Sequence, residues 1–435
     1  SLTPATFPNK PNYPLTDVQT QDVSVFDPNL QVPYADTYSI GVQRGLTRTM
    51  AFEVRYVGSR SREQIATYNL NEVNIFENGI LEAFNLTRSG GNAPLFDAML
   101  MNLNVTGAGV VNGTTLTGSQ AFRNNTTTRT LIANGDVGAF AAYLNNTTNF
   151  TNSAGGIVRN AGLPETLITA NPQFNTGAPG TTTLPGNATF ITNIADSTYH
   201  SMQLEMTKRL SHGFTGQIAY TWSKSLGLSD EDGGSVFRTL RDRSLNRGPL
   251  SLDRTHQITS NGTFSLPFGA NRALLANAPA IVQRLVENWQ LAGILNCRSG
   301  APLSLTTGAT ATTGRSSFNS GSEAPRVVVP FPKNTGQAVV TSTPGVVTYF
   351  DGFGQTTDPD RFSVTTQNST QQSNSELAIT NASGTLLLVN PRPGELSNLS
   401  KGYLRGPSAL SLDMNLSKRI RVSETKSIEF RMDAN

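Results

Sequence analysis

One sequence pattern recurs along the chain and constrains its fold more than any other feature. Between residues 199 and 225, apolar side chains occupy every second position on both sides of a short polar turn. Such alternation is typical of a strand with one apolar face and one polar face. The same pattern appears in three further places, two of them close copies and one looser. The sequence therefore predicts strand pairs near 36–60, 199–225, 254–299 and 408–433.

The connections between these strands differ sharply in length. Within a pair the joints are short or moderate, whereas the pairs are separated by the long segments 61–198, 226–253 and 300–407. Long segments without recognisable elements are uncommon in compact soluble domains. Short turns at one end and long extracellular loops at the other are typical of transmembrane barrels. We therefore predict an all-β fold, an antiparallel transmembrane β-barrel portion of about eight or more strands with very long extracellular loops.

The composition excludes several other classes of protein. Hydrophobic residues make up 37% and charged residues 14% of the 435 residues, while glycine occurs 39 times. The net charge of +3, without a basic run, argues against nucleic-acid binding. Cys297 is the only cysteine, which excludes an internal disulfide. No apolar run approaches the roughly 18 residues of a membrane-spanning helix, and no signal peptide opens the chain.

The two faces of the predicted strands are expected to meet different surroundings. In a membrane barrel the apolar face contacts lipid and the polar face lines the lumen. Aromatic residues lie near both ends of the strands, as in the interfacial girdles of bilayer barrels. The lumen-facing candidates are Glu53, Arg55, Glu205, Gln217, Asp413, Glu429 and Arg431.

Candidate chemistry outside the strands is sparse. Two acidic loop segments contain the weak calcium candidates Asp230, Asp232, Asp358 and Asp360, although neither segment has EF-hand spacing and solvated turns explain both. None of the three histidines has metal-ligand spacing, and no nucleophile elbow, phosphate loop or dinucleotide fingerprint occurs. We therefore expect no enzyme activity, no bound metal and no cofactor. The long loops fit polar surface loops and a ligand-capturing surface equally well.

The strand sequences resemble a known family. The runs "YHSMQLEMTKRLSHGFTGQIAYTWSKS", "NRGPLSLDRTHQITSNGTFSLPFG" and "LRGPSALSLDMNLSKRIRVSETKSIEFRMDAN" look like the barrel of TonB-dependent outer-membrane receptors. The resemblance is to the Oar-like type of acidobacteria, which carries an N-terminal carboxypeptidase-regulatory-like domain. The runs "PYADTYSIGVQRGLTRTMAFEVRYVGSRS" and "NWQLAGILNCRSGAPLS" fit the same family.

The resemblance implies a complete barrel of about 22 strands in the bacterial outer membrane. Its expected partners are the lipid bilayer with its lipopolysaccharide, the receptor's own plug domain, a TonB-type energy-coupling protein and a nutrient ligand. No plug domain or TonB box is found between residues 1 and 435, so we expect this sequence to be the C-terminal barrel portion of a receptor. The expected function is energised uptake through a plugged lumen. The alternatives are a non-transporting surface adhesin or binding protein and a soluble β-sandwich binding module.

Overall fold

A single antiparallel sheet dominates the structure. A computed structural model describes residues 23–113, 115–145, 156–171, 188–230, 239, 241–269, 272–307, 324–332, 336, 339–359, 377–421 and 426–434. Within this part, eight long strands pair in chain order as a continuous wall. They are β1 (Tyr34–Thr47), β2 (Met50–Asn69), β3 (Ala188–Ser211), β4 (Phe214–Gly227), β5 (His256–Ser265), β6 (Trp289–Arg298), β7 (Ala409–Arg421) and β8 (Ser427–Ala434).

Each wall strand forms because β-branched, aromatic and other apolar residues alternate with polar ones, a pattern that suits a two-faced sheet. The β3–β4 hairpin turns at His212 and Gly213, both of which have a positive φ. Its register pairs Met206 with Ile218 and Thr207 with Gln217. In the described part of the chain the wall is open, because β1 and β8 each have one wall neighbour.

Two of the strands are much longer than a bilayer requires. β2 has 20 residues and β3 has 24, whereas a tilted membrane-spanning strand needs about 9–11. Their register is interrupted by a bulge near Gln64, beyond which the pairing continues to Asn69. A short strand, Val23–Phe26, pairs in parallel with the start of β3. At the end far from the short turns, the β2–β3 pair therefore extends beyond the rest of the wall as a paired stalk.

The segment between β2 and β3 contains a helical subdomain, and this corrects the expectation of a loop without clear elements at 61–198. Its helices are α1 (Ile80–Arg88), α2 (Pro94–Leu100), α3 (Gly118–Asn124), α4 (Thr126–Asn134), α5 (Val137–Asn145) and α6 (Gly156–Asn160). Four phenylalanines, Phe84, Phe96, Phe122 and Phe140, are fully buried in its core, with ring centroids 5.0–5.5 Å apart. The fold is thus mostly β with a helical insertion, rather than all-β.

The segment between β6 and β7 forms a second surface unit. It contains a four-stranded sheet in the order 326–327, 386–389, 377–380 and 354–357. Phe331, Leu387, Leu388 and Leu404 form its buried core. The remaining short strands of the described residues are 104–105, 109–110, 248–249, 302–303, 339–340, 347–348 and 404–405. One further α-helix, α7 (Ala280–Val286), lies between β5 and β6, and two short 3-10 helices span Glu165–Leu167 and Arg243–Asn246.

Candidate functional site: a two-faced wall and its surface units

The polar face of the wall contains all seven residues predicted to face the lumen. Glu53 pairs with Glu205, and Gln217 pairs with Thr207 and Asn261. Asp413 pairs with Ile294. Arg431 and Glu429 pair with Ser417 and Arg419. Following these pairs from strand to strand, and allowing for the alternation of side chains, places the seven residues on one face. Ile294 is an apolar exception on this face.

Charges on the polar face are partly paired with each other. Arg55 forms an ion pair with Glu53, and Arg419 lies 3.3 Å from Glu429. Arg431 lies 2.9 Å from Asp433, which also accepts a hydrogen bond from Asn415. Near the short-turn end, this face borders a trough of about 740 Å³ whose lining includes Gln217, Asp413 and Arg431. Such a surface is suited to water or to a polar partner, because charges are costly in an apolar environment.

The opposite face is apolar and exposed along its whole width. Its large side chains include Ile40, Val42, Met206, Ile218, Leu410, Leu412, Phe430 and Met432, all of which are exposed. Ile40, Leu410 and Met432 have about 70% of their surface accessible. An apolar patch of this size is incompatible with a water-facing surface and is suited to contact with lipid.

Aromatic side chains lie near both ends of the apolar face. Far from the short turns, the Tyr56 hydroxyl lies 2.7 Å from His200 Nδ1 and the Tyr220 hydroxyl lies 2.8 Å from His256 Nδ1. The Tyr38 ring covers Gly58 so closely that a side chain there would collide with it. At the short-turn end, Phe214 is paired with Phe264. Amphipathic rings with satisfied polar atoms are typical of the two bilayer interfaces.

The surface units are joined to each other and to the loops around them. Arg241, in the 226–253 segment, forms an ion pair with Glu77 beside α1, and its guanidinium lies 4.6 Å from the centroid of the Phe76 ring. The hydrogen bond from Arg241 holds the pKa of the Glu77 carboxyl below its ordinary value, against the opposing effect of desolvation. Gly394, in the 300–407 segment, packs closely against Leu81 of α1. The segments between the strand pairs therefore form one connected surface layer.

Two of the four weak calcium candidates lie in the described part of the chain, and both have protein partners. Asp230 Oδ2 lies 2.6 Å from Lys401 Nζ, and Asp230 Oδ1 accepts a hydrogen bond from the Ser251 amide. Burial favours the neutral form of Asp230, but these partners outweigh it and lower its pKa. Asp358 is buried and accepts hydrogen bonds from the amide and side chain of Asn390.

Asp230 thus joins two segments of the surface layer, whereas Asp358 has its partner Asn390 within the 300–407 segment. Asp232 and Asp360 lie outside the described residues. Among the residues that the structure does describe, no group of three or more histidine, cysteine, aspartate and glutamate side chains could coordinate a metal ion. None of the described helices is both long and apolar enough to cross a membrane.

Comparison with known families agrees with this two-faced wall. The family model described as "Outer membrane beta barrel domain" matches residues 1–435. The chain belongs to this family. This outer-membrane barrel chain is therefore located in the bacterial outer membrane, and its apolar face is assigned to lipid. Membership also excludes the soluble β-sandwich alternative.

One solved structure that matches this chain is the outer membrane transporter YddB from Escherichia coli. The similarity has a TM-score of 0.34 at 9% sequence identity, and it covers 94% of this chain and 30% of the YddB chain. This chain thus spans less than a third of the length of that transporter. No curated protein matches the chain.

Proposed function

We propose that this chain is the wall and outer-surface portion of a TonB-dependent receptor-transporter of the Oar-like type. In this proposal the surface layer captures a nutrient, and a plug domain occupies the lumen against the polar face. A TonB-type protein then supplies the energy for uptake. The observation that carries the proposal is the combination of an apolar outward face with folded surface units on strands that extend past the bilayer.

The polar face supports the lumen part of this proposal. Its charges are only partly paired within the sheet, and the trough of about 740 Å³ offers them either water or a plug surface. Glu53 lies directly opposite Glu205 on this face, and two like charges in this position do not stabilise the sheet itself. The acidic pair is suited to a hydrated interior, where the repulsion between like charges is screened.

The surface layer supports the capture part. Recognition residues are commonly placed on loops that a rigid scaffold positions. Here the helical subdomain has its own aromatic core, and the Arg241–Glu77 ion pair joins it to the neighbouring loop. Family resemblance suggests oligosaccharides, peptides or metal chelates as the substrate class. The mechanism requires no catalytic residue in this chain.

A second candidate, a surface adhesin, is favoured by one observation. The helical subdomain has a buried core of its own and therefore resembles a display module more than a flexible capture loop. An adhesin would bind its target without a TonB-type protein, whereas a transporter would need that protein for growth on its substrate.

The test uses a variant that lacks the helical subdomain. Asn71 Nδ2 donates to the Asn171 carbonyl at 3.0 Å, and the Asn171 amide donates to Asn71 Oδ1 at 2.9 Å. Because these two residues are in contact, residues 72–170 can be replaced by a short Gly-Ser linker. The host strain is grown on a panel of oligosaccharides, peptides and iron chelates as limiting nutrients. We expect the gene deletion, the 72–170 replacement and the deletion of the TonB-type gene to impair growth on the same nutrient.

The control is heat-modifiable migration of the replacement variant in detergent gels, which we expect to match that of the unaltered protein. Normal growth of all three strains on every nutrient of the panel would contradict the transport proposal. Binding to the cell surface that persists in the TonB-type deletion, without any growth defect, would favour the adhesin. The reading frame upstream of Ser1 gives an independent check, since it should encode a plug domain.

A further inference from the structure

The connection between β5 and β6 is a compact segment at the short-turn end of the wall. The Leu266 amide donates to the Trp289 carbonyl at 2.9 Å, and the Leu274 amide donates to the Pro267 carbonyl at 2.9 Å. Gly269 has a positive φ, and a Cβ built there would lie only 2.8 Å from Glu287 Cβ. The two ends of the segment therefore pack against each other and fix the position of helix α7 between them.

Lys418 of β7 fixes the C-terminus of α7. Its side chain is almost fully buried, and its ammonium donates to the carbonyls of Arg284, Leu285 and Glu287 at 2.8, 2.6 and 3.0 Å. The last carbonyls of a helix have no partner within the helix and carry the negative end of its dipole. The Lys418 ammonium supplies hydrogen bonds to these carbonyls and a positive charge at the negative end of the dipole. The Trp289 indole adds a hydrogen bond to the Leu285 carbonyl at 3.0 Å, and Lys418 Nζ lies 5.3 Å from the centroid of its ring.

The register shows on which side of the wall this contact is made. Lys418 is paired with Trp289, and Leu416 is paired with Leu291. Because side chains alternate along a strand, Lys418 lies on the same face as Leu416, Met414 and the other apolar residues of β7. The C-terminus of α7 therefore lies on the lipid-facing side of the wall, at its short-turn end.

Most apolar side chains of this segment are turned away from the protein. No residue of α7 is buried. Ile281 is 77% exposed and Leu285 is 64% exposed, and both lie on one side of the helix because they are four positions apart. Leu274 and Leu275, just before the helix, are about half exposed. Arg272 and Arg284 flank these apolar residues with positive charge.

We propose that residues 272–287 form an interfacial anchor that lies in the headgroup region of the inner leaflet of the outer membrane and binds phospholipid. The apolar side chains continue the lipid-facing surface of the wall, and the arginines can contact phosphate groups. At the water–lipid boundary, an amphipathic segment buries its apolar side chains in lipid, whereas in water these side chains would stay exposed. The proposal rests on the orientation in which the short connections face the periplasm, and it does not depend on transport.

The test places nitroxide labels on the full-length protein reconstituted in vesicles of phosphatidylethanolamine and phosphatidylglycerol. Single cysteines are introduced at Ile281 and Leu285, in a background in which Cys297 is replaced by serine. Ala280, whose side chain projects about 100° around α7 from that of Ile281 and about 140° from that of Leu285, is the matched control. Collision rates with oxygen, which partitions into lipid, are compared with those of a water-soluble nickel chelate.

We expect the ratio of oxygen to nickel collisions to be several-fold higher at 281 and 285 than at 280. It should also stay below the ratio at Ile218, whose label should reach the bilayer interior. Nickel-dominated collisions at 281 and 285 would overturn the proposal. Immobilised labels with little access to either reagent would also overturn it, by pointing to a covering protein.

A second variant tests the role of Lys418. Lys418→Met preserves the length of the side chain and removes its hydrogen bonds to the α7 carbonyls. We expect the label at 281 to become more mobile while heat-modifiable migration is retained. An unchanged spectrum in a correctly assembled variant would show that Lys418 does not fix the helix. If Lys418→Met does not assemble, the label measurement in the protein with Lys418 intact still tests the interfacial anchor.

Discussion

Ile218 and Gln217 are neighbours in the chain and lie on opposite faces of the wall. Ile218 pairs with Met206 and Ser260 and is 41% exposed on the apolar face. Gln217 pairs with Thr207 and Asn261 and borders the polar trough. Ile218 is therefore expected to contact lipid, and Gln217 is expected to contact water.

Arginine at these two positions should have very different effects. We expect Ile218→Arg to destabilise the assembled barrel by about 2–4 kcal/mol, because a charge would enter the middle of the bilayer. Gln217→Arg should be nearly neutral, since its side chain would remain hydrated. The measurement is the denaturant dependence of folding into vesicles, and equal tolerance at the two positions would contradict the orientation.

The Glu77–Arg241 ion pair makes a prediction about pH. A carboxyl whose pKa is lowered in the folded state stabilises that state at pH above its unfolded pKa, near the ordinary value of 4.5. This contribution is lost as the pH falls through the lowered folded-state pKa. Amide exchange of residues 72–79, corrected for the intrinsic rate, should therefore be constant from neutral pH down to that region and increase below it.

Glu77→Gln should raise the exchange of these residues at neutral pH and remove its dependence on pH. The matched control is Glu82→Gln, which changes an exposed carboxyl at the start of α1 outside this contact. An unchanged exchange profile in Glu77→Gln would show that the ion pair does not stabilise the junction between the helical subdomain and its neighbouring loop.

At the scale of elements, the strands and the helices differ in how well the sequence predicts them. Alternation over eight or more residues marks the wall strands directly, because each residue meets one of two distinct environments. The helices of the subdomain have five to nine residues, too few for a clear helical period in a background rich in Asn, Thr and Gly. One local signal was present, since Thr117 and Gln120 form a capping box at the start of α3.

The helical subdomain should unfold independently of the wall. Phe84→Ala removes a fully buried ring from the aromatic core and should cost about 3–5 kcal/mol, the usual range for such a cavity. Leu86→Ala, in the same helix and 43% exposed, should have little effect. Limited proteolysis within residues 72–170 measures the loss of stability in Phe84→Ala. Heat-modifiable migration should remain normal in both variants. Loss of barrel assembly in Phe84→Ala would contradict independent folding.

At the scale of the whole molecule, the sequence predicted a membrane wall and its two faces but not the content of the surface layer. The faces follow from alternation at positions such as Leu204, Glu205 and Met206, which needs no knowledge of distant contacts. The surface layer depends on long-range contacts such as Asp230–Lys401 and Arg241–Glu77, which no local pattern reveals. For the same reason, the sequence indicated solvated turns, with only weak calcium candidates, for the two acidic segments, whereas Asp230 and Asp358 contact protein groups.

The contact between the apolar face of the wall and lipid can be measured along a single strand. Its most direct test is a nitroxide scan along β4 from Phe214 to Trp222, in the full-length protein reconstituted in vesicles. We expect oxygen accessibility to alternate with a period of two, with maxima at even-numbered positions such as 218 and 220. Nickel-chelate accessibility should be greatest at 217, 219 and 221. Oxygen maxima at the odd-numbered positions, or equal access of the water-soluble chelate to both faces, would show that the apolar face does not contact lipid.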